Sequence, residues 1–197
     1  MEDFTVGIAG LGLIGTSMAK ALKGYRNWRI IGFDTDEKVI DAGEKDGVIE
    51  KGYTTMDKTR NCDIVIFATP PAVTLNAINS CEYKEGAVVC DACGVKGFMN
   101  SIRDDIDFVG MHPMAGKEVG GYANGDGELF ENANLLLLKR PSTTNRAVKL
   151  IEEMGKAMGF GTLRWTDSKT HDEMIGFTSQ MPHLVSAVIV RHPLYES

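Results

Sequence analysis

The sequence is informative first in what it lacks. No stretch of its 197 residues strings together the roughly 18 apolar residues that a membrane-spanning helix needs. The amino-terminal MEDFTVGIAG has neither the basic start nor the long apolar centre of a signal peptide, so a cytoplasmic location is expected. Positive charge is in deficit, with 21 Lys+Arg against 27 Asp+Glu and a net charge of -6. That balance, with no basic stripe, argues against nucleic acid or an anionic membrane as a partner. Cysteine is sparse. Cys62, Cys81, Cys90 and Cys93 are the only four, and in a reducing compartment they read as packing thiols. Cys90 and Cys93 form a CxxC, but no second CxxC or histidine pair completes a metal site. The His171-Asp172-Glu173 triplet lacks the histidine of HExxH, because Ile175 stands in its place. No metal is therefore expected, and the triplet is read as an acidic helix start that favours the dipole. No GxSxG elbow is present, which argues against acyl transfer.

What the chain does contain is ordinary for a globular protein: 43% hydrophobic and 24% charged residues, enough for one α/β domain with a sizeable core. Short apolar runs recur at 4–9 (FTVGIA), 28–33 (WRIIGF), 63–71 (DIVIFATPP), 86–92 (GAVVCDA), 107–111 (DFVGM), 134–140 (NLLLLKR) and 160–166 (FGTLRWT). Helix-like segments separate several of them, at 36–47, at 95–106 and, with clear amphipathicity, at 143–159. Strands alternating with helices imply βαβ units and a doubly wound, mainly parallel sheet over residues 1–166. Residues 112–133 form a long glycine-rich irregular stretch, of the kind that is usually functional or mobile. From Asp167 onward the pattern becomes one long helix, taken as the start of a second, helical domain over 167–197.

The first strand runs directly into GLGLIG. Gly10, Gly12 and Gly15 make GxGxxG after a strand and at the opening of a helix, the context of a dinucleotide-binding Rossmann turn. Gly10 permits the tight turn, Gly12 admits a pyrophosphate to the backbone, and Gly15 lets helix and strand approach. The backbone of Leu11, Leu13 and Ile14 would then present N–H groups to the phosphates. Asp34 closes the second strand, where a carboxylate accepts from ribose hydroxyls and repels a 2′-phosphate. The expected cofactor is NAD rather than NADP. A P-loop fails at one residue, since Thr16 stands where a lysine is required. Thr69 and Pro70 end the 63–71 strand and are placed beside the cofactor, because carboxyl ends of strands line the crevice of such sheets.

GMHPMAGKEVG (110–120) places His112 just beyond a strand, on what reads as a loop facing the same crevice. An imidazole titrates near neutrality, so it can accept a proton while hydride leaves.

GMHPMAGKEVGG, together with DACGVKG (91–97), GLGLIGTSMAKALK (10–23) and HDEMIGFTSQMPHLVSA (171–187), resembles the prephenate and arogenate dehydrogenases of tyrosine biosynthesis, in order along nearly the whole chain. The resemblance implies an NAD-dependent oxidative decarboxylation in which His112 is the catalytic acceptor for the ring hydroxyl proton. It implies that Glu118 helps to gate the pocket through ion pairs and that His183 lies near the substrate. It also marks departures. Gly94 stands where many members carry a serine that touches the same hydroxyl, with Cys93 or a water as the substitute. Gln180 stands where a histidine is common and keeps hydrogen-bonding capacity. Lys96 is a candidate for a substrate carboxylate, with Asp91 capping a helix or orienting it. Members of the family continue into further helices that build a homodimer, whereas this chain ends at RHPLYES. The apolar face of HLVSAVIV is then expected to associate with another chain. The alternatives are arogenate as substrate, or an NAD-binding module without turnover. A β-hydroxyacid dehydrogenase is disfavoured, because only Lys169 is available on the long helix as its catalytic lysine.

Overall fold

A computed structural model describes residues 4–192. Met1, Glu2, Asp3 and the closing PLYES, where the expected second domain ends, lie outside the described residues.

The sheet holds β1 (Thr5–Ala9), β2 (Arg29–Phe33), β3 (Lys51–Tyr53), β4 (Ile64–Phe67), β5 (Val88–Asp91), β6 (Asp107–Pro113), β7 (Asn134–Lys139) and β8 (Thr162–Thr166). Their spatial order is β3-β2-β1-β4-β5-β6-β7-β8. Helices α1 (Leu13–Leu22), α2 (Glu37–Lys45), α3 (Pro71–Ser80) and α4 (Asn145–Ala157) connect and cover them. The expectation of a doubly wound, mainly parallel Rossmann sheet agrees with this arrangement. Ile64 and Ile66 belong to one core cluster, while Val65 and Phe67 belong to another. A strand whose successive residues enter two cores must be apolar throughout, which is why 63–71 reads as a continuous run rather than an alternation. Each such fully buried side chain contributes roughly 1.5–3 kcal/mol.

Local chemistry fixes the helix starts. Asp36 accepts a hydrogen bond from the Lys38 N–H at 2.9 Å, and Thr144 accepts one from the Ala147 N–H at 3.1 Å. α1 has no such side-chain cap; Gly12 stands at its N-cap.

Four features depart from the sequence reading. The short edge strand β3 carries almost no apolar signal and pairs through only three residues. β6 and β7 are antiparallel, because the chain between them returns along the same edge instead of crossing by a helix. Residues 95–106 form only a 3-10 turn at Gly97–Ser101, not a helix. Their apolar residues Met99, Ile102 and Ile106 are buried at helix-like spacing, but the Lys96 and Gly97 N–H groups are bonded elsewhere. Finally, His112 belongs to β6 itself, opposite Leu136, rather than to a loop.

The long 114–133 stretch is held down rather than free. Lys20 donates to the Gly125 carbonyl at 2.7 Å, Asp126 N–H donates to Ser17 Oγ at 2.9 Å, and Phe130 is buried and stacked on Phe160.

After β8 the helical path is α5 (Ser168–Ile175), a wide π turn at Gly176–Gln180, and α6 (Met181–Val190). Asp167 caps α5 by accepting from the Thr170 N–H at 2.9 Å. Pro182, with no N–H to give to the preceding turn, explains the wide turn just before it. Every residue from 181 to 192 is exposed. Among the described residues, no helix is long and apolar enough to cross a membrane.

Candidate active site

Strands β1, β2, β4, β5 and β6 run parallel, so their carboxyl ends share one edge. Two adjoining regions of that edge carry the candidate chemistry.

The first lies where the chain leaves β1 for β2 on one side and β4 on the other. Gly10 has φ +87°, and a Cβ there would sit 2.7 Å from the Ala68 carbonyl oxygen. A Cβ on Gly15 would stand 1.9 Å from the Gly10 carbonyl oxygen. These two glycines are therefore required by the protein's own packing. Gly12 differs: a Cβ there would meet no described atom within 4 Å. No packing contact within the chain accounts for its lack of a side chain, and beside it the start of α1 has no side-chain cap, leaving N–H groups available to a ligand. A dinucleotide pyrophosphate fits both observations.

Beside the loop, Ala9, Gly10, Phe33, Asp34, Thr69 and Pro70 contribute to a cleft of about 350 Å³. Asp34 Oδ2 accepts from the Leu11 N–H at 2.8 Å and Oδ1 from the Asp36 N–H at 3.0 Å. The carboxylate thus also braces the glycine loop, a role the sequence reading did not give it. Each oxygen keeps a second lone pair for a ribose hydroxyl. Thr69 is tied to α3, its hydroxyl 2.8 Å from that of Thr74, and Pro70 stands at the N-cap of that helix.

The second region centres on His112. Its Nδ1 lies 2.8 Å from His171 Nε2, and His171 Nδ1 lies 2.7 Å from Asp172 Oδ1. Asp172 in turn accepts from the Lys96 N–H at 2.7 Å and from the Gly97 N–H at 2.7 Å. Five groups from three separate segments thus converge. On its other side, His112 Nε2 faces Gly94, where a Cβ would stand 3.5 Å away. Nε2 has no hydrogen-bond partner among the described residues and is the end of the chain open to a substrate.

Charge shapes this cluster. Burial, then the nearby Lys96 ammonium, then His171 push the His112 imidazole from its usual 6.5 down to about 4, against the pull of Asp172. His112 is therefore neutral at pH 7 and can accept a proton. Burial works against the Asp172 charge. The hydrogen bonds from His171 and the two backbone N–H groups outweigh it and hold the carboxyl below its usual range.

Lys96 requires a correction. The sequence allows either a contact with a substrate carboxylate or a solvated lysine at a helix start. Instead it is fully buried, its Nζ donating to Asp91 Oδ2 at 2.5 Å and to the Met111 carbonyl at 2.6 Å. With no helix there to leave it at a solvated end, the Asp91 carboxylate draws it inward. Cys93 does not replace the missing serine either, since its thiol donates to the Thr69 carbonyl and Thr74 hydroxyl and is pushed by burial up to about 12. Cys90 is also buried and its thiol donates to the Val65 carbonyl, so the CxxC is packing.

Three further candidates are not drawn into the cluster. Glu118 is exposed and has no ion-pair partner among the described residues. Gln180 ends the π turn, exposed. His183 lies on α6, exposed and about 18 Å of helical rise beyond His171. The sequence reading missed His171 and Asp172, treating the triplet as a helix start. The available signal was a histidine beside a carboxylate on the first turns after a completed sheet.

The chain matches the family model described as "Prephenate dehydrogenase, nucleotide-binding domain" over residues 18–161. It is 31% identical over 193 residues to a prephenate dehydrogenase of Lactococcus lactis subsp. cremoris (strain MG1363), covering 93% of this chain and 52% of that protein. It is 31% identical over 200 residues to a prephenate dehydrogenase of Bacillus subtilis (strain 168), covering 96% and 53%. It spans about half the length of these curated relatives. The crystal structure of a prephenate dehydrogenase from A. aeolicus in complex with hydroxyphenyl propionate and NAD+ superposes with a TM-score of 0.84 at 27% identity, over 96% of this chain and 69% of that one.

Proposed function

We propose, on the premise that this chain belongs to the prephenate dehydrogenase nucleotide-binding family, that it takes part in the NAD-dependent oxidative decarboxylation of prephenate to 4-hydroxyphenylpyruvate. The observation that carries the reading is the placement of the His112 imidazole, its Nδ1 held by His171. Its unpartnered Nε2 faces Gly94 at the same sheet edge as the glycine loop.

The chain's own residues divide the work. Gly12 and the α1 N-terminus would hold the pyrophosphate, and the Asp34 carboxylate would accept from the adenosine ribose, which favours NAD over its 2′-phosphorylated form. When bound, NAD supplies the hydride acceptor. His112 Nε2 accepts the proton of the ring hydroxyl while hydride departs from the same carbon. The carboxylate on the opposite ring carbon leaves as carbon dioxide, and its electron pair completes the aromatic ring. His112 then returns the proton to the phenolate oxygen. Gly94 leaves the Nε2 side of His112 without the side chain that a serine would place there. Lys96 acts at a distance here, its charge adding to burial in disfavouring the protonated form of His112, and takes no substrate contact. Glu118, Gln180 and His183 are assigned to the outer wall of the substrate site.

Residues 1–166 are read as the dinucleotide-binding domain and 167–197 as the opening of a helical dimerisation domain. A helix apolar all round is normally a buried one. On α6, Leu184, Val185, Val188, Ile189 and Val190 are all more than half exposed. A second copy of the chain is the proposed cover.

The test is NADH formation with NAD and either prephenate or arogenate, alongside NADH binding followed by fluorescence. Turnover with prephenate supports the reading in full, and turnover with arogenate alone changes the substrate. NADH binding without turnover on either would make the chain a binding module and overturn the catalytic part.

A further inference from the structure

We propose that His171 and Asp172 are positioning residues that fix the tautomer of His112, so that the docking of α5 onto the sheet domain is what makes Nε2 a proton acceptor. The inference rests on the reading of His112 as that acceptor.

The argument follows the protons along the chain of contacts. Both Asp172 oxygens accept backbone N–H bonds, from Lys96 and Gly97, each at 2.7 Å. The carboxylate is thereby held ionised and fixed in orientation, and its Oδ1 can only accept from His171 Nδ1, 2.7 Å away. A neutral His171 with its proton on Nδ1 has a bare Nε2. That nitrogen must accept, so at 2.8 Å it takes the proton on His112 Nδ1. His112 is then left with its lone pair on Nε2, facing Gly94. Reversing the chain requires protons on both nitrogens of His171, and so a full positive charge on a side chain buried away from water. His171 itself is 2% exposed, so water does not compete for either of its nitrogens.

The geometry also links two parts of the protein. Lys96 and Gly97 belong to the stretch after β5, His112 to β6, and His171 and Asp172 to α5. One carboxylate on α5 clasps two backbone N–H groups of the sheet domain, and the adjacent imidazole reaches the catalytic one. An α5 that lifts away leaves His112 Nδ1 without its acceptor. A neutral histidine is then free to place its proton on Nε2, where it blocks the reaction.

The test is nitrogen NMR of the full chain labelled with 15N-histidine, with His112→Asn identifying the His112 resonances. The expected spectrum shows His112 neutral at pH 7, protonated on Nδ1 and bare on Nε2. His171→Leu should convert it to the Nε2-protonated form or a mixture. His171→Gln, whose carboxamide oxygen can accept from Nδ1, should restore the original form. In turnover, His171→Leu should lose about 10²–10⁴-fold in kcat with NADH binding unchanged, and His171→Gln should recover most of it. A wild-type His112 carrying its proton on Nε2, or one unaffected by His171→Leu, overturns the inference. The wild-type spectrum alone decides the matter if His171→Leu fails to fold. The two readings fail separately. The expected tautomer in a chain without turnover sinks the dehydrogenase reading and keeps this one. Turnover with the opposite tautomer does the reverse.

Discussion

Replacing Lys96 by methionine keeps most of the length of the side chain and removes its charge. Lys96 and Asp91 are both fully buried, with Nζ and Oδ2 2.5 Å apart. Without the ammonium, Asp91 keeps only the Cys93 N–H, 2.8 Å from Oδ2, while its Oδ1 already has no partner among the described residues. Breaking one side of a buried pair typically costs about 3–5 kcal/mol, roughly a fifth or more of a typical domain's stability. At about 2–4 °C per kcal/mol for a chain of this size, the melting temperature should fall by roughly 6–20 °C. Adding Asp91→Asn should recover most of that loss, because no uncompensated charge then remains. The substitution has a second, independent signature. Lys96 is one of the causes that lower the His112 pKa, so Lys96→Met should move it upward from about 4. Urea denaturation followed by circular dichroism measures the first effect, and an NMR titration of His112 the second. A loss below about 1 kcal/mol, the range of an exposed ion pair, would refute the buried-pair argument. An unmoved His112 would refute the electrostatic link.

Gly12→Ala should leave stability within about 0.5 kcal/mol, since the new Cβ meets nothing described within 4 Å, but weaken NADH binding by about tenfold or more. Gly15→Ala should instead cost about 1–3 kcal/mol or more, because its Cβ would stand 1.9 Å from the Gly10 carbonyl; fluorescence titration and thermal melts distinguish the two. For pH, the His112 pKa is depressed in the fold, to about 4 from 6.5. The unfolded chain therefore binds the extra proton first, and the stabilising contribution of a neutral His112 fades as pH falls from about 6.5 to about 4. The acid limb of kcat/KM, which reports the free enzyme, should accordingly lie near pH 4 rather than 6.5, read from rates across that range in a buffer series. Leu184→Asp on the exposed face of α6 should turn a dimer into a monomer in sedimentation velocity, with NADH binding retained.

The glycine loop was legible because its requirements are local: a strand, a tight turn and a helix in immediate succession. Gly10 and Gly15 are demanded by backbone atoms close at hand, and those positions read correctly from spacing alone. The strands were legible for the same reason. Ile64 to Phe67 are apolar because both faces of β4 are covered. What sequence could not supply was direction and depth. β7 pairs antiparallel to β6, and this extends β6 through His112 and Pro113, whose composition alone gives no strand period. Lys96 reads as solvated until its carboxylate five residues earlier is seen to be buried with it. His171 and Asp172 join the site across 59 residues from His112 and across 76 and 75 residues from the Lys96 and Gly97 N–H groups. Such contacts are created by the fold and leave no local periodicity to read.

The most direct test of the account is the comparison of His112→Asn with the unaltered chain, under saturating NAD and prephenate, with NADH affinity measured in parallel. The account predicts that the unaltered chain forms NADH, that the variant binds NADH equally well, and that its turnover falls by about 10²–10⁴-fold. Equal turnover by the two proteins, or none by the unaltered chain with its NADH bound, would contradict it.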